Sequence, residues 1–181
     1  VIIPVRPGLD LVPGDLALAT CELSLVVRLG RESVLRDALA DVAGRYDLCL
    51  IDCPPSLGML TVNALVAARS VIAPVLPAPA DLRGLALFRK TIERVHRINP
   101  ALDLLGVIVG QYDQRKTSHR EALQALQAAG FNILACIPQT VRAQEAAGAA
   151  MPLNEFAPGS TATEAYTEAA KEVLAWLRNQ K

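Results

Sequence analysis

The side chains of this sequence best suited to chemistry stand where apolar runs end. In "YDLCLIDCPPSLGMLTVNAL", residues 46–65, an apolar run ends on the carboxylate of Asp52, and Pro54, Pro55 and Gly58 follow before a helical stretch. Ligands of open α/β sheets bind at the carboxyl ends of strands. Asp52 is therefore either a ligand-side carboxylate or the cap of a local turn. In the first role it would reach a magnesium ion or its water beside a nucleotide. The prolines fix φ and remove two backbone donors, so the turn is stiff at first and free to move only near Ser56–Gly58. A glycine there lets the backbone approach a phosphate closely.

Charge supplies a second candidate. The 18 basic and 18 acidic residues cancel, but residues 83–120 hold 8 basic against 3 acidic, whereas 1–82 hold 6 against 9 and 121–181 hold 4 against 6. A run of that kind is either a solvated face or a patch for a polyanion. The cysteines, Cys21, Cys49, Cys53 and Cys136, form no C-x-x-C pair and have no histidine close in sequence. They are expected to be reduced, buried thiols rather than a metal site or a disulfide framework. No apolar run reaches transmembrane length, and no leader with a small-residue cleavage site is evident.

These side chains need a scaffold, and 181 residues with 52% hydrophobic content suffice for one domain with a sizeable core. Apolar runs at 9–12, 48–52, 70–76, 103–110 and 132–138 are continuous rather than alternating, as strands buried on both faces are. Between and after them, helices are expected over 15–29, 32–43, 82–98, 117–129 and about 163–178. Leu85, Phe88, Ile92 and Val95 recur at helical spacing, as do Ala122, Leu123 and Leu126, and Tyr166, Ala169, Val173, Trp176 and Leu177 are expected inward on the last helix. Strands alternating with helices predict a doubly wound, mostly parallel α/β sheet with helices on both faces, as one domain over 1–181.

The longer strings carry a resemblance. The 46–65 stretch resembles the switch II region of the ParA/Soj family of partition ATPases, a deviant-Walker branch of the P-loop NTPases. In matching order, "PGLDLVPGDLALATCELSLVVRLGRESVLRDAL", "SVIAPVLPAPADLRGLALFRKTIERV", "GVIVGQYDQRKTSHREALQAL" and "IPQTVRAQEAAGAAMPLNEFAPGSTATEAYTEAAKEVL" resemble other family segments, so the likeness spans nearly the whole chain. It implies ATP and Mg2+ as cofactors, ATP-dependent homodimerisation, non-specific DNA binding, and hydrolysis stimulated by a ParB-like protein at a centromere-like site. Localisation would be cytoplasmic and nucleoid-associated, without membrane binding. Carried over by position, Asp52 would sit by the magnesium-bound water, and Pro54, Pro55 and Gly58 would belong to the γ-phosphate switch. Gln111 and Pro138 would lie along the adenine. Both also fall at strand ends, where the alternative is that they are ordinary strand-end residues; Asp113 could equally cap a local turn. For DNA the resemblance points to Arg115, Lys116, Arg120 and Arg142, in accord with the basic run. At "PGSTATEAY" many members have a basic residue before Gly-Ala, whereas Thr161-Ala162 stands here, which implies a weaker patch.

One family motif is missing: no G-x-x-x-x-G-K-[ST] occurs in the 181 residues. The P-loop strand, its helix and the switch I aspartate are expected before Val1, in about the first third of a full-length member. Without those lysines the chain alone is expected not to hydrolyse ATP. Two alternatives remain at this level: a truncated, non-catalytic DNA-binding or dimerisation relative, and a MinD-like positioning ATPase. The C-terminal "EAYTEAAKEVLAWLRNQK" adds no basic amphipathic segment of the membrane-binding kind.

Overall fold

The computed structural model describes residues 1–179 and resolves two compact units, Val1–Ala68 and the residues from Arg69 on. The first opens with an antiparallel hairpin, β1 (Ile3–Arg6) and β2 (Leu9–Leu11), paired Ile3 to Leu11 and Arg6 to Leu9. Pro7 and Gly8 make its turn, and Gly8 takes φ +79°, a left-handed conformation that glycine adopts without a Cβ penalty. Helix α1 (Ala17–Leu25) follows, and Asp15 accepts from the Ala17 amide at its start (2.8 Å). A 3-10 turn at Arg31–Ser33 leads into α2 (Val34–Ala43), and α3 (Met59–Ala67) closes the unit. Helices α2 and α3 pack together, and Tyr46 donates its hydroxyl to Asp10 on the hairpin (2.7 Å).

The expected strand at 48–52 is the main departure. That stretch is extended but pairs with no strand among the described residues, and Leu50 is 79% exposed. A strand is defined by its neighbour: apolar composition favours extended backbone, but only a ladder satisfies its N–H and C=O groups. Cys49 lies on this stretch and Cys53 just after it; both are exposed, as is Cys21. The four thiols are free, as expected, but only Cys136 is partly covered, so the expectation of buried cysteines fails.

The second unit is the α/β part. Strands β3 (Ser70–Val75), β4 (Asp103–Tyr112) and β5 (Ile133–Pro138) form a parallel sheet in the order β3-β4-β5. Helix α4 (Pro79–Val95) connects the first two and α5 (Thr117–Ala128) the next two. Proline at the start of α4 suits a position whose amide has no helical partner. Two short helices, α6 (Val141–Gly148) and α7 (Leu153–Phe156), lead to α8 (Thr161–Arg178), which packs on β5. The Ser160 hydroxyl caps α8 by accepting from the Thr163 amide (3.2 Å). At the core, Val107 and Val109 of the middle strand are fully buried against Ala73, Val75, Leu85 and Leu126. Tyr166, expected inward, is 50% exposed; the small Ala162 and Ala169 form the buried face of α8.

A buried amide braces the first unit. Asn63, 3% exposed, accepts from the Leu35 amide (3.1 Å) and donates to the carbonyls of Arg31 (2.8 Å) and Met59 (2.9 Å). It thereby ties α3 to the turn before α2. Replacing Asn63 with Ala removes these bonds and leaves part-buried backbone groups short of a partner, which should destabilise the protein by roughly 2–3 kcal/mol. Urea denaturation checks this; a loss below about 0.5 kcal/mol would mean water replaces the amide at no cost.

Candidate functional site

The first candidate region is the 52–58 turn. Asp52 is exposed and forms no hydrogen bond or ion pair among the described residues. Helix α3 has Gly58 at its N-cap and no side-chain cap from that residue, so Asp52 is not the cap of the helix that follows. Although Cys53 is exposed as a residue, partial desolvation of its sulfur pushes the thiol up and the neighbouring Asp52 charge adds to this, so Cys53 is not primed as a thiolate. Pro54 and Pro55 are exposed. The turn is tied to α3 by the Thr61 hydroxyl, which donates to the Ser56 carbonyl (2.6 Å). Gly58 has φ −77°, open to any residue, so its backbone angles do not require glycine. A Cβ there would meet the Glu22 carboxylate from α1, the far end of a flexible side chain that can move aside.

The second region is in the other unit, at the carboxyl ends of β4 and β5. A cavity of about 690 Å³ opens there, lined among others by Tyr112, Asp113, Arg115, Cys136, Pro138 and Thr140. Pro138 is thus on the ligand side of the sheet, whereas Gln111 is exposed and outside the lining. Gln111 contributes through its backbone. Its φ of +51° is unusual for a residue with a Cβ and marks the kink at which β4 hands over to Tyr112 and Asp113. The Asp113 amide donates to Nδ1 of His119 (3.0 Å), which keeps the proton of the neutral imidazole on Nε2. Burial raises the Cys136 thiol, so it lines the cavity as a neutral group.

The basic side chains lie beside this cavity or on the turn that borders it. Arg115 holds Asp113 with both arms of its guanidinium, Nε to Oδ1 (3.0 Å) and Nη2 to Oδ2 (3.1 Å). That fork, with the Arg115 amide also donating to Oδ1, lowers the Asp113 carboxyl to about 2, and Asp113 in return raises Arg115. Asp113 therefore does cap a local turn. Arg120 donates to the Gln114 carbonyl (2.7 Å) and the Thr117 hydroxyl (3.0 Å). Lys116 is the N-cap residue of α5. Arg115 and Lys116 precede α5 and Arg120 lies in its first turn, while Arg142 stands at the start of α6, bonded to Glu145 (3.0 Å). Two of the four cations thus already have carboxylate partners in their own neighbourhood.

Sequence reading missed Glu22 and Asn63. Both act over separations of about thirty residues or more, which no local pattern reveals, although the helix bearing Glu22 is legible.

The AAA domain family matches residues 1–104. An uncharacterized protein of Mycobacterium tuberculosis is 40% identical over 170 residues, 92% of this chain and 54% of its own length. The chain therefore spans about half of that relative. The chromosome partitioning protein ParA of Caulobacter vibrioides is 37% identical over 180 residues, 97% of this chain and 67% of its own. Among solved structures, cobyrinic acid a,c-diamide synthase from Mycobacterium smegmatis, crystallised with an ATP analogue and magnesium, superposes with a TM-score of 0.81 at 36% identity. That match covers 97% of this chain and 66% of the other. The shared sheet, the order of its segments and the extent of the match to a partition protein lead to one assignment: the chain belongs to the ParA/Soj family of partition ATPases.

Proposed function

We propose that this chain is the switch-bearing and base-bearing part of an ATP-hydrolysing partition or positioning protein, one that dimerises with ATP and binds DNA without reading its sequence. The observation that carries the reading is the cavity at the carboxyl ends of β4 and β5. It is roomy enough for a base, and apolar Pro138 and Val141 stand beside polar Tyr112, Gln139 and Thr140. The donor set suits magnesium as well. Mg2+ keeps several waters and takes one or two carboxylates together with substrate phosphates, and Asp52 is an unpaired carboxylate of that kind. No cluster of three metal-ligating side chains is present among the described residues, in keeping with a metal held mostly by phosphate and water. When bound with ATP, the metal would supply charge neutralisation on the β- and γ-phosphates. Asp52 would orient its water, the 54–58 turn would respond to the terminal phosphate, and Pro138 would pack on the base, with the Gln111 kink setting the rim.

On this reading Arg115, Lys116, Arg120 and Arg142 neutralise DNA phosphates, a stimulating ParB-like protein sets the hydrolysis rate, and the protein works in the cytoplasm on the nucleoid. No helix among the described residues is long and apolar enough to cross a membrane. Fluorescence anisotropy of the full-length, ATP-bound protein across a salt series tests it. Unrelated duplexes should bind alike, with a log–log salt slope of roughly −0.9 per phosphate neutralised. Two copies held by ATP should bind more tightly than one through linked sites. Replacing Arg115 and Arg142 with Ala should flatten the slope by about two if each neutralises one phosphate. An unchanged slope would leave the basic run as a solvated face.

A further inference from the structure

Five of the eight cations in the basic run at 83–120 lie away from the cavity, on α4 or on the turn that continues it. One of them, Arg89, is used inside the molecule. Its guanidinium lies over the Phe131 ring, 4.2 Å from the centroid, and donates to the Ala129 carbonyl (3.3 Å). The other four, Arg83, Lys90, Arg94 and Arg97, are exposed, and their side chains make no hydrogen bond or ion pair among the described residues. They are not scattered. With Leu87 they recur at steps of four, three, four and three, which makes one row along the helix, opposite the buried Leu85, Ile92 and Val95. From Arg83 to Arg94 the row runs about 16 Å. It does not serve α4 itself. Lys90 and Arg94, and Arg94 and Arg97, stand at spacings where like charges repel. The helix dipole favours Arg94 in the last turn but offers nothing to Arg83 or Lys90.

We infer that α4 is a docking surface for an acidic amphipathic helix of a partner protein, which lies along the Arg83–Arg97 row with its carboxylates on the cations and an apolar side chain on Leu87. Two features favour a helix over a nucleic-acid backbone. Leu87, 58% exposed, interrupts the cations, and a phosphate strand gains nothing from an apolar side chain. Glu93, exposed at the margin of the row, would repel phosphates but can pair with a basic residue on a partner. The average step of 3.5 residues is the one at which two helices keep a shared seam. Carboxylates placed on the row would also relieve the repulsion around Arg94. Exposed charges set encounter and partner choice more than affinity, and Leu87 supplies the buried contact, so the complex is weak and salt-sensitive. The surface shares no residue with the cavity, the 52–58 turn or Arg115, Lys116, Arg120 and Arg142, and it does not draw on the nucleotide reading.

The test uses the full-length protein and a fluorescein-labelled synthetic helix of about three heptads, with Glu at the positions facing the row and Leu at its centre. Binding followed by anisotropy should weaken at least about tenfold when Arg83, Lys90 and Arg94 are all replaced with Ala. Leu87→Gln, which leaves every charge in place, should weaken it roughly three- to tenfold. Raising the salt concentration should weaken it as well. The triple variant should unfold at the wild-type urea concentration or above, because it removes exposed, mutually repelling charges; this separates lost docking from lost folding. Binding that survives the triple variant would overturn the proposal. So would binding indifferent to Leu87→Gln, which would reduce the row to diffuse charge attraction. A duplex DNA weakened by the triple variant and by no change at Leu87, beside an acidic helix that does not bind, would overturn it too and make the row a nucleic-acid surface.

Discussion

Asp52→Ala in the full-length protein is expected to lower magnesium-dependent ATP hydrolysis by at least about two orders of magnitude while leaving its stability nearly unchanged. The scale is that of removing one well-placed electrostatic group from a transition state. The indifference of stability follows from the surroundings of Asp52, which is exposed, accepts no hydrogen bond among the described residues and caps no helix. Two roles are open to the residue, and they predict opposite outcomes. A turn cap replaced by Ala costs about 1 kcal/mol of stability and leaves turnover intact; a ligand-side carboxylate does the reverse. Phosphate release and urea denaturation on the same variant distinguish them. Wild-type turnover together with a lowered urea midpoint would return Asp52 to a structural role.

How far such roles could be read ahead depended on the range of the interaction. The runs at 70–76, 103–110 and 132–138 became strands within a residue or two at each end, because strands buried on both faces leave a continuous apolar signature. The run at 48–52 has the same signature and no ladder, since a strand's neighbour is not written in its own residues. β1 escaped notice because Pro4 demotes "IPVR" as a strand, a penalty that an edge hairpin tolerates. Tyr166 was misassigned for a different reason. On α8 the helix-to-strand approach is set by alanines, and a large ring at a nominally inward position is pushed to the margin. At the candidate site, Pro138 follows from strand-end logic, whereas the local pairing of Arg115 with Asp113 and of Arg142 with Glu145 is invisible to a count of net charge. Glu22 was beyond reach altogether, because its partner is 38 residues away.

Residues 1–181 on their own are expected to show no ATP turnover above background and an ATP affinity weaker than about 1 mM, equivalent to roughly −4 kcal/mol. The cavity beside Pro138 and the Asp52 turn are features of this chain, but most of the binding energy for a triphosphate comes from its phosphates. Those need a glycine-rich loop of amides and at least one lysine on the β- and γ-oxygens. No G-x-x-x-x-G-K-[ST] occurs in the sequence. The unpaired 48–52 stretch adds a second deficit: with no neighbouring strand among the described residues, the carboxylate of Asp52 rides on backbone that no ladder holds. A catalytic group must be held to within a fraction of an ångström to contribute fully, so Asp52 on this backbone would contribute little to turnover. Colorimetric phosphate release and calorimetric ATP titration on the purified 181-residue chain, beside the full-length protein, measure both deficits. Turnover by the short chain that disappears on Asp52→Ala would refute the expectation and require a phosphate cradle built from residues other than a P-loop.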